Sequence, residues 1–387
     1  MIKIDVAQKI MEDIKIDLKT EKIKVINSLG RVLANDIFSE IESPPFDKSA
    51  MDGFAYNHKS GNTNLKIIET IAAGSAVNTE LKIGECSKIM TGAMIPKGAN
   101  KVVKIENCSV ENNYLSFEPE KNDNIIYRAE NLKIGEKVIE KCVIRPQEIG
   151  VLSSLGIAEI KVAKQPTVGV ITTGTELKNP GEKLEIGQIY NSNGFQITSQ
   201  IEAMNCKAKY YGTVPDDKSA TLKIIQNAIN ECDVIILSGG VSMGEFDYVP
   251  QMIEQNGVKI LFHKLAIKPG KPTLFGQKND KFVFGLPGNP VSTFVIFELF
   301  VKPFLFKMMG IKFNPKNIKV KLANEVKQRN TERTSYIPVK LENGFAIPLK
   351  YHGSSHLNAL ISADALIKIE RGITKITEGT IINARQI

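Results

Sequence analysis

Asp233-Val-Ile-Ile-Leu-Ser238-Gly239-Gly240 is a short apolar run that breaks at two glycines. A second run, Val258 to Phe262, empties into Lys264-Leu-Ala-Ile-Lys268-Pro-Gly-Lys271-Pro272. A third, Lys281-Phe-Val-Phe284, ends in Gly285-Leu-Pro287-Gly288-Asn289-Pro290-Val-Ser292. Each reads as a buried strand followed by a loop rich in glycine or lysine. In a parallel sheet their carboxyl ends share one edge, where ligands of open α/β sheets bind.

The last loop is the most legible. Asn289 suits a helix cap and Pro290 a first turn whose amide is unpaired anyway, with Val291 to Val301 an apolar helix ended by Pro303. Gly285 and Gly288 allow close backbone approach, and free amides plus the helix dipole favour an anion. A plain strand–turn–helix connection is the bland reading of one such loop. Three side by side, with Lys264, Lys268 and Lys271 between them, favour an anionic ligand, and phosphate is expected.

At 387 residues the chain exceeds one compact core, so several domains are expected. Fifty basic and 42 acidic residues give a net charge of +8. The lysines are scattered without an aromatic-interleaved stripe, which argues against nucleic acid. Cys86, Cys108, Cys142, Cys206 and Cys232 are far apart, so no disulfide framework or zinc site is indicated. No signal peptide or membrane-length apolar run occurs, and a soluble cytoplasmic protein is expected.

Working outward, an amphipathic helix opens the chain, with Asp5 as its cap and Ala7, Ile10, Met11 and Ile14 on one face. A weaker pattern runs through Val25 to Leu33. Pro44-Pro45 then forces an extended approach to a polar segment holding Asp47, Ser49, Asp52 and Gly53. Composition alone also allows this segment to be an ordinary turn. Short β runs follow at Ile67–Ile71, Ser87–Met90, Lys101–Ile105, Tyr114–Phe117 and Lys137–Ile139, spaced like a small β module. Arg145 to Gly156 reads as a helix closed by glycine. From Pro166 the pattern alternates: strand Thr167–Thr173, helix Asn193–Met204, strand Lys207–Thr213, and a helix capped by Asp216-Asp217. This predicts a doubly wound parallel sheet. After Pro315 β runs return at Ile318–Leu322, Ser335–Lys340, Ala346–Leu349 and Ala365–Ile369. The turn Tyr351-His352-Gly353-Ser354-Ser355-His356 is the polar cluster there that could reach a ligand.

Six motifs stand in order along the chain: Ser-Ala-Met51-Asp52-Gly53-Phe-Ala, Met-Thr91-Gly92-Ala, Thr-Thr-Gly174-Thr-Glu176-Leu, Ser-Gly239-Gly240-Val-Ser242-Met-Gly-Glu-Phe-Asp247-Tyr, the Lys264–Pro272 segment and Gly-Leu-Pro287-Gly-Asn-Pro290-Val-Ser. Together they resemble the bacterial MoeA family of molybdopterin molybdenumtransferases and the E domain of gephyrin. The resemblance spans essentially the whole chain. It implies an enzyme that takes adenylylated molybdopterin, accepts molybdate, and releases molybdenum cofactor and AMP with Mg²⁺. It also implies a homodimer whose cleft is shared between subunits, with the molybdopterin adenylyltransferase as a candidate partner.

The expected fold class is multidomain α/β plus β: a doubly wound α/β domain, an inserted β module and a C-terminal β-barrel domain. The expected division is a discontinuous N-terminal domain over 1–45 and 128–165, the β module over 46–127, the α/β domain over 166–310, and the barrel over 311–387.

Cleaving a phosphoanhydride between two anionic halves needs positive charge and oriented amides. Lys264, Lys268, Lys271 and the Gly285–Asn289 loop are the candidates, with Gly239, Gly240 and Ser242 on the neighbouring loop. Magnesium asks for carboxylate oxygens, and Glu176, Asp217 and Asp247 follow successive strands. By resemblance, Pro287, Pro290 and Ser355 line a molybdate pocket, while Asp52 and Thr91 match positions across the dimer cleft. Two positions depart from the family pattern: Asn131 and Thr175 stand where acidic residues are common. The runner-up readings are the adenylyltransferase of the same superfamily and a non-catalytic scaffold.

Overall fold

The computed structural model describes every residue of the chain except 242–247, 329 and 350–352. It divides into two compact units: residues 1–23, 27–34 and 161–387 form one, and 24–26 with 35–160 the other.

The larger unit opens with α1 (Ile4–Asp13), which buries Ile4, Ala7 and Met11. Lys3 holds the cap position without a side-chain bond, and Asp5 falls inside the first turn rather than capping it. There its charge still complements the positive end of the helix dipole.

The α/β region runs β1 (Thr167–Thr173), α2 (Ser192–Glu202), β2 (Lys207–Val214), α3 (Lys218–Glu231), β3 (Val234–Ser238), α4 (Val249–Gln255), β4 (Lys259–His263), β5 (Leu274–Lys278) and β6 (Lys281–Leu286). Sheet order is β2-β1-β3-β6-β5-β4. The first four strands are mutually parallel, and β5 lies antiparallel between β6 and β4. The strands ending at Ser238, His263 and Leu286 therefore do share one edge, although β5 was not foreseen. Gly276 weakens its sequence signal, because a strand-interior glycine contributes no side chain. It is needed there, since a Cβ would stand 2.7 Å from Val258 Cγ1 and 3.1 Å from the Lys259 carbonyl oxygen.

α5 (Pro290–Ile296) follows β6 and does not stop at Pro303. It passes through a π-helical turn, Phe297–Val301, into a further helical segment, Lys302–Met308. The wider turn accommodates a proline that lacks an amide and would clash with a regular preceding turn. Arg385 Nη2 donates to the Glu298 carbonyl within that turn. Phe275, Phe282, Phe284 and Phe304 pack between this helix and the sheet, with ring centroids 4.7 to 6.2 Å apart. Burying each such ring contributes about 1.5–3 kcal/mol.

The C-terminal strands close a five-stranded barrel. Thr334–Glu342 pairs with Phe345–Pro348 and Ala365–Ile369, and Asn317–Leu322 with Phe345–Pro348 and Ile381–Gln386. Ala365–Ile369 pairs with Ile381–Gln386 to complete the circuit. Closure removes the exposed sheet edges. The last strand, Ile381–Gln386, has no counterpart among the β runs expected after Pro315: it buries only Ala384 and so shows little apolar patterning. Outside the α/β sheet, Ile267–Lys268 pairs in parallel with Thr334–Ser335, which ties the lysine loop to the barrel.

In the smaller unit six strands form one sheet, including Leu65–Ile71, Glu85–Ile89, Lys101–Lys104 and Tyr114–Phe117. Gly53–Tyr56 is also a strand, flanked by Glu85–Ile89 and Lys101–Lys104. All four of its residues are buried, so it lacks the in–out alternation that marks a half-exposed strand. The weak pattern from Val25 to Leu33 yields only a single 3₁₀ turn, Val25–Asn27. Pro146–Ser154 is helical, with Glu148 bonding back to the Arg145 amide at 2.8 Å. All five cysteines are free, and among the described residues no helix is long and apolar enough to cross a membrane.

Candidate functional site

A cleft of about 960 Å³ opens where β1, β3 and β6 end and where α2 and α5 begin. Barrel residues Arg333, Gly353, Ser354, Ser355 and Leu357 complete its wall.

After β1 the chain turns at Gly174. A Cβ there would come within 2.6 Å of Glu176 Oε2, so the missing side chain makes room for the Glu176 carboxylate. Glu176 is exposed, lines the cleft and has no bonding partner for its carboxylate among the described residues. Next to it, Thr175 donates from its amide (3.2 Å) and hydroxyl (3.3 Å) to Asp216 Oδ2. Thr175 thus supplies a neutral donor toward a carboxylate, where an acidic residue would repel it.

Asp216 and Asp217 have different tasks. Asp216 lines the cleft. Asp217, the expected metal ligand, caps α3 instead: its Oδ1 accepts from Ser219 Oγ at 2.6 Å and the Ala220 amide at 2.7 Å. Those bonds hold its carboxyl below the usual range, the Ser219 hydroxyl contributing most. Asp217 does not line the cleft, and sequence spacing missed its neighbour.

After β3, Gly239 and Gly240 line the cleft with φ of +100° and +62°. A Cβ at Gly239 would fall 2.4 Å from the Thr173 carbonyl oxygen, so the turn requires glycine both sterically and conformationally. Ser242, Glu245 and Asp247 lie outside the described residues, as do Tyr351 and His352.

After β6, Pro287, Gly288, Asn289 and Pro290 line the cleft. Asn289 holds the cap position of α5, but its side chain makes no cap bond. Its Nδ2 donates to Ser354 Oγ at 2.8 Å instead, and the Val291 amide donates to the Ser354 carbonyl at 3.1 Å. These contacts bring Ser355, expected only by resemblance, into the cleft wall. Gly285 does not line it. A Cβ there would meet Val241 Cγ1 at 2.9 Å and Leu274 Cβ at 3.2 Å, so its small size serves packing rather than ligand approach.

Of the three lysines, Lys268 and Lys271 are exposed and line the cleft, and Lys264 does not. Lys264 sits in a left-handed turn at φ +73°, with its amide donating to the Thr273 carbonyl. Arg333 joins the two cleft lysines from the barrel, with Nη1 3.4 Å from the Ile267 carbonyl. No local motif marks Arg333, which lies 62 residues beyond Lys271 by numbering.

The cleft floor is polar and ordered. Asn191 Nδ2 approaches Thr172 Oγ1 at 2.8 Å, Tyr210 Oη at 2.7 Å and Thr213 Oγ1 at 3.0 Å, while its Oδ1 caps α2 at Gly194. Asn193 Nδ2 donates to Ser238 Oγ and to the Gly288 carbonyl.

Asp52 and Thr91 belong to the smaller unit, where both are exposed. Asp52 Oδ1 accepts from the Thr91 amide at 2.6 Å and hydroxyl at 2.7 Å. The cleft can thus hold phosphate-like anions on Lys268, Lys271, Arg333 and the Gly288 and Asn289 amides, which have no acceptor among the described residues, beside the carboxylates Glu176 and Asp216. Among the described residues no group of three or more acidic, histidine or cysteine side chains forms a preassembled metal site.

Comparison with known proteins finds three family models along the chain. The MoeA N-terminal region (domains I and II) matches residues 2–156, the probable molybdopterin binding domain residues 169–307, and the MoeA C-terminal region (domain IV) residues 319–387. A molybdopterin molybdenumtransferase of Staphylococcus aureus is 36% identical over 360 residues, covering 89% of this chain and 86% of that protein. One from Haemophilus influenzae is 37% identical over 319 residues, covering 81% and 79%. The crystal structure of a molybdopterin biosynthesis MoeA protein from Pyrococcus horikoshii matches with a TM-score of 0.87 at 32% identity, covering 100% of both chains.

Proposed function

Because the chain belongs to the MoeA family of molybdopterin molybdenumtransferases, and is an enzyme of molybdenum cofactor biosynthesis, we propose that it takes molybdopterin in adenylylated form and exchanges AMP for molybdate with Mg²⁺. One observation carries this reading: a cleft that sets Lys268, Lys271, Arg333 and the Pro287–Pro290 loop against Glu176 and Asp216. Two anionic halves joined by a phosphoanhydride need cationic and amide donors at the phosphates.

The oxygen donors fit Mg²⁺. It is commonly held by one or two carboxylates together with substrate phosphates and water, and Glu176 has no competing partner among the described residues. Glu176 and Asp216 would hold it, with Asp247 as a further candidate, and the ion would neutralise charge on the phosphoryl oxygens. Lys268 and Lys271 bind the phosphates, with Gly239, Gly240 and Gly288 giving the backbone close approach. Pro287, Pro290 and Ser355 border the space for molybdate. Lys264 and Asp217 act from outside the cleft, by holding the lysine loop and the start of α3.

The same reading includes a homodimer in which Asp52 and Thr91 complete the partner's cleft, and a four-part division at 1–45 with 128–165, 46–127, 166–310 and 311–387. It also includes work in the cytoplasm beside the adenylyltransferase that supplies the substrate. The test is reconstitution: the purified protein, given adenylylated molybdopterin, molybdate and Mg²⁺, should activate a cofactor-free molybdoenzyme. No activation above a protein-free control would reject the reading.

A further inference from the structure

Asn193, in the first turn of α2, is only 8% exposed, and its side chain reaches two other segments. Nδ2 donates to Ser238 Oγ at the end of β3 (2.8 Å) and to the Gly288 carbonyl (2.7 Å). Ser238 Oγ donates to the Pro287 carbonyl at 3.2 Å, and Thr293 Oγ1 donates to the same carbonyl at 2.5 Å. The amide orientation is forced. The Gly288 carbonyl only accepts, and the single Ser238 proton is already spent on Pro287. Asn193 Oδ1 is left buried without a donor among the described residues. That arrangement is destabilising, so an asparagine here is held for what its donors do.

Two consecutive carbonyls, Pro287 and Gly288, are therefore drawn inward. Both following peptide bonds are trans, and in a trans peptide the N–H points opposite to the C=O. The Gly288 and Asn289 amides then face the other way, both residues are exposed at the cleft, and neither amide has an acceptor among the described residues. We infer that Asn193 is a positioning residue that aims these two amides into the cleft as a cradle for one tetrahedral oxyanion. This rests on the anion-binding reading of the cleft. The oxyanion is either the substrate's phosphoryl group or molybdate.

The experiment is isothermal titration of AMP and, separately, molybdate into wild type, Asn193→Asp and Ser238→Ala, with thermal unfolding of each. Asn193→Asp keeps the volume but removes the donors, and should weaken one of the two anions at least tenfold while the other stays within twofold. Ser238→Ala, which leaves the Asn193 bond to the Gly288 carbonyl in place, should weaken the same anion a few-fold, with its thermal unfolding checking that the fold is kept. The anion affected identifies the cradle's occupant. Affinities within twofold of wild type in Ser238→Ala and in a folded Asn193→Asp would overturn the inference alone. Wild type binding neither anion would overturn the reading of the cleft and the inference with it.

Discussion

Asp52 and Thr91 are bound together twice, amide and hydroxyl of Thr91 both donating to Asp52 Oδ1 at 2.6 and 2.7 Å. The amide bond contributes most to holding the Asp52 carboxyl below the usual aspartate range. The pairing keeps an exposed carboxylate charged and aimed. In Thr91→Val the hydroxyl bond is lost and the amide bond remains, so the Asp52 pKa should rise part of the way toward its ordinary value. Because the folded pKa is depressed, the pairing stabilises above the unfolded value and its contribution fades as pH falls through the folded one. An NMR titration of Asp52 in both proteins checks the direction.

If Asp52 serves the partner's cleft, two inactive variants should rescue each other. Asp52→Asn mixed with Lys268→Ala gives about half heterodimers at statistical exchange, each with one intact cleft, so activity should recover to roughly a quarter of wild type. Demonstrated exchange without recovery would place both residues at one chain's own site.

The adjacent aspartates should separate cleanly. Asp217→Ala should cost about 1 kcal/mol of stability through loss of the α3 cap, and Asp217→Ser should restore most of it. Turnover per folded molecule should stay near wild type in both. Asp216→Asn should instead leave unfolding nearly unchanged and raise the Mg²⁺ concentration needed for half-maximal rate.

The lysines should separate in the same way. Lys268→Ala should weaken substrate binding by roughly 1–3 kcal/mol, the range for a lost charge-assisted hydrogen bond. Lys264→Ala should weaken it less, since Lys264 does not line the cleft. Equal losses in a direct binding titration would contradict that ranking.

How much of this was legible in the sequence depended on how local each signal is. The β3 and β6 turns were readable because glycine pairs, Pro290 and the flanking apolar runs mark a strand–turn–helix within a dozen residues. Asp216 and Asp217 share type and neighbourhood, and only the entry angle of α3 decides which carboxylate bonds the helix amides. Arg333 and Asn193 reach the cleft from remote segments through pairing and packing, so no spacing announces them. Strand β5 and the Gly53–Tyr56 strand were hidden because a glycine interior and full burial on both faces erase the alternation that periodicity needs. Pro303 marked a helix end that a π turn made unnecessary.

On the proposed reaction, AMP should leave only as molybdenum enters. The most direct measurement counts both in one reaction: AMP released by chromatography, and molybdenum retained on the pterin by elemental analysis, with molybdate and Mg²⁺ present or withheld. AMP and molybdenum should appear in equal amounts, with neither product formed when molybdate or Mg²⁺ is omitted. AMP release at an undiminished rate without molybdate, or molybdenum insertion without AMP release, would contradict it.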